Sequence, residues 1–222
     1  MRGRFDYIAY YDLDHTILKG NSATQLVETA RQRGVMTPAQ YRHALYLSIL
    51  YKMNIGDPVK MINRMLGWLD GLEEEKVRTL CQEVFKTDLM HAIRPEILKS
   101  MDQHRANSGA VVLLSSATAP ICEPVSEYLG MDDLICTHLS SENGILTGRT
   151  EGRLVYGEEK KRRLIQHCTD HGFDPAEAWY YGDSHTDIHV MKAVGNPVAV
   201  SPDKLLLKTA RALQWSVIVP AG

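Results

Sequence analysis

The sequence lacks any long apolar run. None of its 222 residues belongs to a stretch approaching the roughly 20 apolar residues that cross a bilayer. The N-terminal segment reaches Asp12 before an apolar stretch long enough for a signal peptide has accumulated. These absences predict a soluble, cytoplasmic protein that has no membrane partner.

Paired cysteines and a strong net charge are also missing. The four cysteines lie far apart, without the C-x-x-C spacing of zinc or redox motifs, so we expect reduced thiols. A formal net charge of -2 gives no indication of nucleic-acid binding. With 44% hydrophobic and 23% charged residues, the composition is that of a globular protein with one large domain, or one domain carrying an insertion.

Strand-like runs alternate with helical patterns along most of the chain. The first run, residues 5 to 14, is rich in aromatic residues and ends abruptly in carboxylates, as a central strand of a parallel sheet does. The later runs are residues 108 to 117, 178 to 184, 197 to 202 and 215 to 220. This alternation predicts an α/β protein with a doubly wound, Rossmann-like parallel sheet.

Residues 21 to 88 differ from this alternating pattern, because successive helix signals occur there without a strand-like run. A capping box at 37 to 40 and an Asp-Pro start at 57 to 58 each begin a helix. A single crossover needs only one helix. We therefore expect an inserted all-helical cap, with residues 1 to 20 and 89 to 222 forming the α/β core. The alternative is that these helices merely flank the sheet.

A third texture occupies residues 134 to 156, where Asn143-Gly144 and further glycines separate short β-like pieces. Such a pattern predicts a small antiparallel ribbon. Asp132 and Asp133, just before it, are interpreted as a helix-to-strand turn.

Carboxylates follow two of the predicted strands. Asp12 and Asp14 end the first, and Asp183 and Asp187 follow the strand at 178 to 182. Ligands of open α/β sheets bind beyond the carboxyl ends of the strands, and carboxylates placed close together are costly without a cation or proton between them. Hard oxygen ligands suit Mg²⁺. The sequence therefore predicts a magnesium site at this edge of the sheet.

Groups suited to phosphate are expected at the same edge. Ser115 and Ser116 follow the second strand, where hydroxyls and backbone N–H groups suit an anionic oxygen. Lys160, at the start of its helix, would supply a fixed positive charge. Together with the carboxylates, these groups predict phosphoryl transfer through an aspartyl-phosphate, with a small-molecule phosphomonoester as the partner.

Four motifs occur in order along nearly the whole chain, and they read YDLDHT, VVLLS, GEEKKRRL and GDSHTD. A D-x-D-x-T string alone would be weak support. With all four in order, the sequence resembles the haloacid dehalogenase superfamily, and the helical insertion after the first motif resembles the cap of its phosphoserine-phosphatase-like subgroup. The resemblance implies a magnesium-dependent phosphoric monoester hydrolase.

The resemblance also implies roles for the carboxylates. Asp12 matches the nucleophile that attacks phosphorus, and Asp14 matches the acid that protonates the leaving oxygen and then activates water. The metal would be held by Asp12, Asp183 and the backbone carbonyl of Asp14, with Asp187 in support.

The other motif residues are matched in the same way. Ser115 matches the phosphate-binding hydroxyl, with Ser116 as the alternative. Lys160 matches the charge-stabilising lysine, because it rather than Lys161 has the usual spacing after the preceding glycine. Thr16 matches a structural residue that bonds within the loop.

Substrate-reading residues are expected in the cap. Asn21 stands nine residues after Asp12, where phosphoserine phosphatases carry a glutamate, and Arg64 is near the place of an arginine that binds a substrate carboxylate. Because Asn21 replaces that glutamate, other amino-alcohol or amino-acid phosphates, including histidinol phosphate, fit as substrates equally well as phosphoserine. His15 would either shape the pocket entrance or be an exposed loop residue. The alternatives to a phosphatase are a phosphotransferase or phosphomutase of the same family and a non-catalytic phosphate-binding protein.

Overall fold

The computed structural model describes residues 1–53 and 55–219, and they form an α/β fold. Six parallel strands make one sheet in the order β3-β2-β1-β6-β7-β8, and β4 and β5 make a separate antiparallel ribbon. The strands are β1 (Tyr7–Tyr11), β2 (Gly109–Thr118), β3 (Asp133–Thr137), β4 (Leu139–Glu142), β5 (Ile145–Thr150), β6 (Trp179–Gly182), β7 (Asn196–Val200) and β8 (Ser216–Ile218).

Helices cover both faces of the sheet, which confirms the expected doubly wound, Rossmann-like class. Two hydrophobic clusters lie on opposite faces of β1, because consecutive residues such as Tyr10 and Tyr11 belong to different clusters. The α-helices are α1 (Ser22–Gln32), α2 (Pro38–Lys52), α3 (Pro58–Met65), α4 (Glu74–Val84), α5 (Pro95–Ala106), α6 (Ala119–Tyr128), α7 (Glu158–His171), α8 (Ile188–Met191) and α9 (Lys204–Ala212).

The segment from 21 to 88 contains α1 to α4 and, within its described residues, no strand. The chain enters and leaves it through two adjacent crossings, where the Lys19 N–H donates to Ala92 and Leu18 pairs with Ile93. Buried residues of α1 and α4 share one hydrophobic cluster with a face of the sheet. The helical segment is therefore packed against the core.

One strand of the main sheet was not expected from the sequence. Residues 133 to 137 form β3, which pairs in parallel with β2 at the sheet edge, whereas the sequence pattern assigned most of them to the ribbon. The ribbon itself is confirmed as β4 and β5, turning at Asn143-Gly144. The expected last strand is confirmed at β8, and Pro220 at its predicted end lies outside the described residues.

No helix in the described part of the chain is both long and apolar enough to cross a membrane.

Candidate active site

The chain turns sharply just beyond β1. Residues Leu13–Ile17 form a tight turn in which Asp14 has an extended backbone and His15, which is exposed, lies in the left-handed region at φ 57°. The turn lets the Asp12 carbonyl accept from the N–H of Ile17 while the His15 N–H donates to Gly20. Backbone in such a sparsely populated region is held in place by its surroundings. The turn therefore fixes where Asp12 and Asp14 stand.

Asp12 lies in a buried ion-paired group. The Lys160 ammonium donates to Oδ1 of Asp12 and to Oδ1 of Asp187, each over 2.8 Å. Lys160, in the first turn of α7, is 3% exposed and Asp187 is 2% exposed. The Tyr180 hydroxyl also donates to Asp187 over 2.8 Å. Burial lowers the pKa of Lys160, but the two carboxylates outweigh it and raise that pKa overall, so the lysine is a permanent cation.

Asp183 completes a cluster of three carboxylates. Oxygens of Asp12, Asp183 and Asp187 all lie within 4.8 Å of one another. Burial, then the charges of Asp12 and Asp187, raise the pKa of Asp183 to about 9. Burial likewise raises the pKa of Asp12 to about 6 although Lys160 opposes the shift. If all three carboxylates were ionised, they would carry more negative charge than one lysine neutralises. Burial and this excess charge together raise the pKa values of Asp12 and Asp183.

Close backbone approach makes this cluster possible. A Cβ placed on Gly182, at the end of β6, would lie 2.7 Å from Oδ2 of Asp187 and 2.8 Å from the Tyr180 ring. Only glycine fits there without moving the Asp187 carboxylate.

Asp14 is held at the beginning of α1. Its Oδ1 accepts from the Ser22 backbone N–H over 2.7 Å, and its Oδ2 accepts from the Asn21 side-chain amide over 3.1 Å. Asn21 is also the N-cap of α1, because its Oδ1 accepts from the Thr24 N–H over 3.0 Å. Burial raises the pKa of Asp14 more than the bonds from Ser22 lower it. The Asn21 amide nitrogen thus donates to Asp14 while its oxygen accepts at the start of α1, and its expected contact with the substrate stays a prediction.

The hydroxyl residues differ in their surroundings. Ser115 is buried in the second half of β2, and its Oγ accepts from the Ala117 N–H over 3.2 Å. Ser116 is half-buried and its carbonyl accepts from the Thr137 hydroxyl. The Thr16 hydroxyl was expected to bond within the loop, and this was wrong, since Thr16 Oγ1 is buried with no hydrogen-bond partner among the described residues.

Arg64 does not join the cluster. It is exposed on α3 and lines a groove with residues 147 to 150 of the ribbon and with Asp70, a groove that none of the clustered aspartates lines. The expected contact of Arg64 with the substrate stays a prediction, since in this structure α3 directs that side chain toward β5.

Two tyrosines that meet just before α7 were not expected from the sequence. The Tyr51 hydroxyl, from the end of α2, lies 3.5 Å from that of Tyr156, which precedes the helix of Lys160. Burial and Tyr156 raise the pKa of Tyr51, and the charges of Asp187 and Asp183 add to the shift. Tyr51 thus brings the helical segment to the residues that precede α7. The position of Tyr51 in the sequence does not indicate this contact. Tyr156 could have been found from its spacing, because it stands four residues from Lys160.

The family of the chain follows from sequence comparison. The sequence model of the haloacid dehalogenase-like hydrolases matches residues 9–192. The chain belongs to this family. The resemblance seen in the four motifs is thereby confirmed.

Similar proteins of this hydrolase family carry phosphatase names. A phosphoserine phosphatase of Mycobacterium tuberculosis is 24% identical over 94% of the chain and 69% of its own length. A histidinol-phosphatase of Neisseria meningitidis is also 24% identical, over 95% of the chain and 97% of its own length. These relatives confirm the expected enzyme class, the phosphoric monoester hydrolases.

Solved structures share the fold. A Bordetella pertussis protein of unknown function is 25% identical and superposes with a TM-score of 0.88, covering 97% of the chain and 99% of that protein. A substrate-bound phosphoserine phosphatase is 18% identical with a TM-score of 0.72, covering 95% and 91%. The likeness extends over the hydrolase's helical segment as well as its sheet.

Proposed function

We propose that this hydrolase is a magnesium-dependent phosphatase that hydrolyses a small phosphomonoester through a phosphorylated Asp12. The observation that carries the proposal is the contact of Lys160 with Asp12. A buried ammonium 2.8 Å from the carboxylate holds one oxygen in place and remains beside it when the charge moves onto a phosphoryl group.

Asp14 would serve as the acid and then as the base. Its raised pKa suits a carboxyl group that must give a proton to the leaving oxygen and take one from water afterwards. The bonds from Ser22 and Asn21 fix its orientation. Ser115 and Lys160 would bind the phosphoryl oxygens.

The carboxylate cluster fits a magnesium ion. Its donors are all oxygens and lie within 4.8 Å of one another, and the raised pKa of Asp183 indicates negative charge that a divalent cation would neutralise. Asp12, Asp183 and the Asp14 backbone carbonyl would hold the ion, with Asp187 in support. When bound, magnesium would neutralise charge between the phosphate and Asp12.

The division into a core of residues 1 to 20 and 89 to 222 and a cap of residues 21 to 88 also belongs to the proposal. The adjacent crossings at Lys19 and Ala92 support it. The core supplies groups for the phosphoryl group, so the rest of the substrate needs another surface. Tyr51, whose hydroxyl lies 3.5 Å from that of Tyr156 just before the helix of Lys160, is the cap residue that we propose to contact it.

For the substrate, we propose an amino-alcohol or amino-acid phosphate, as the names of the relatives suggest. Phosphoserine and histidinol phosphate head the panel. Release of inorganic phosphate would be measured for each compound with magnesium present, in the wild type, in Asp12→Asn and in Asp102→Asn, an exposed control on α5. Phosphate release by the wild type and by the control Asp102→Asn, but not by Asp12→Asn, supports the proposal. Binding without turnover, or transfer of phosphate to a second metabolite, would favour the alternatives instead.

A further inference from the structure

A second group of metal-ligating side chains lies away from the carboxylate cluster. His167 and His171 stand four residues apart on one face of α7, and Asp133 begins β3 beside them. Asp133 Oδ2 is 3.1 Å from His167 Nε2 and 3.8 Å from His171 Nε2. One ligand atom from each of the three lies within 4.8 Å of the others.

We propose that Asp133, His167 and His171 form a binding site for a transition-metal dication of the zinc type. Ligand atoms around tetrahedral zinc, bonded at about 2.0–2.1 Å, stand roughly 3.3 Å apart. The two distances from Asp133 lie on either side of that value. Two imidazoles and one carboxylate are a donor set that zinc prefers and that magnesium does not.

The surroundings orient the ligands for this role. His167 Nδ1 lies 2.8 Å from the Tyr10 hydroxyl, which in turn lies 3.1 Å from the Cys168 thiol. With a metal bound, Nδ1 would donate to the buried Tyr10 hydroxyl and Nε2 would turn its lone pair to the metal, in place of the hydrogen bond between Nε2 and Asp133 Oδ2 over 3.1 Å. Asp133 Oδ1 accepts from the Leu134 N–H, so Oδ2 is the oxygen left for a metal. Such outer partners are typical of ligating histidines and carboxylates.

The three side chains also leave room for solvent. Those of Asp133 and His171 are 41% and 30% exposed, while that of His167 is 10% exposed. A fourth position would therefore be open to water, as in zinc sites with three protein ligands.

This site is separate from the proposed phosphatase centre. Asp133 stands at the amino end of its strand, whereas Asp12 follows the carboxyl end of β1, and the strands are parallel. His167 is also seven residues along α7 from Lys160, about 10 Å at the helical rise. The two sites can be tested independently.

The test is calorimetric titration of zinc into the full-length protein in saturating magnesium. The variants are Asp133→Asn, which keeps the acceptor for Leu134, and His171→Ala. The matched control is His43→Ala, an exposed histidine on α2. We expect the wild type and the control to bind zinc alike and both ligand variants to bind it more weakly by about tenfold or more.

Two further readings accompany the titration. The visible absorption of Co²⁺ bound in place of zinc should indicate low coordination number in the wild type and vanish in His171→Ala. Hydrolysis of p-nitrophenyl phosphate should be unchanged in His171→Ala, so loss of metal binding there is separable from failure of the phosphatase. Equal zinc binding by His171→Ala and the wild type, or no zinc binding by the folded wild type, would overturn the proposal.

Discussion

The side-chain amide of Asn21 donates a hydrogen bond to Oδ2 of Asp14 over 3.1 Å. Asn21 also caps α1, so the same residue begins the helical segment and orients the proposed acid and base. The position that the sequence assigned to substrate reading therefore links the segment to the chemistry.

Two replacements of Asn21 separate these tasks. Asn21→Ser should keep the helix cap but lose the bond to Asp14, whereas Asn21→Ala loses both and should reduce the free energy of unfolding by about 0.5–2 kcal/mol. Since both misorient Asp14, we expect kcat/KM to fall roughly tenfold or more for natural substrate and for p-nitrophenyl phosphate alike.

Steady-state kinetics and urea unfolding of the two variants check this expectation. If Asn21→Ser changed kcat/KM only for the natural substrate, Asn21 would be reading the substrate and not positioning Asp14.

Tyr51 should affect selectivity. Tyr51→Phe removes the hydroxyl that lies beside Tyr156, and losing one hydrogen bond to the substrate costs about 1 kcal/mol, or roughly fivefold in kcat/KM. Hydrolysis of p-nitrophenyl phosphate should change far less. Tyr46→Phe, at an exposed position of the same helix, is the control. An equal loss for both substrates in Tyr51→Phe would mean that this tyrosine only supports the fold.

Asp12→Asn should abolish turnover without harming the fold. The substitution removes the nucleophile and one of three crowded carboxylates while Asp187 still pairs with Lys160. We expect Tm measured without metal to stay level or rise. A clear fall in Tm would assign Asp12 a structural role instead.

The lowered pKa of His104 predicts that the stability of the folded protein depends on pH. It is buried between the Tyr7 and Tyr181 hydroxyls, and burial lowers its pKa from 6.5 to about 4. The unfolded chain therefore takes up a proton before the folded protein does. The stabilisation that neutral His104 contributes to the folded protein is complete above pH 6.5 and is lost as the pH falls toward 4.

Urea unfolding at several pH values in that range tests the point. The free energy of unfolding of the wild type should fall more steeply with decreasing pH than that of His104→Gln. Parallel curves for the two proteins would show that His104 titrates equally in the folded and unfolded chain.

The sequence predicted the parts of the fold and site that depend on local pattern. Continuous apolar runs predict β1, β2, β6, β7 and β8. The motifs point to Asp12, Lys160 and Asp183, which the structure brings together. The edge strand β3 was assigned to the ribbon because only one residue separates its end at Thr137 from the start of β4 at Leu139. Tyr51 was missed since its contact with Tyr156 depends on how α2 packs, and the direction of Arg64 could not be predicted since it depends on how α3 packs against the ribbon.

The most direct test of the central claim is where phosphate becomes attached during turnover. In Asp14→Asn, water activation should be impaired more than attack by Asp12, so a phosphorylated enzyme should accumulate. Protein mixed with substrate and magnesium would be quenched in acid and mapped by mass spectrometry. The account predicts phosphate on Asp12 in this variant and none once Asp12→Asn is added. Phosphate on another residue, or turnover by the wild type with no phosphorylated enzyme in Asp14→Asn, would contradict it.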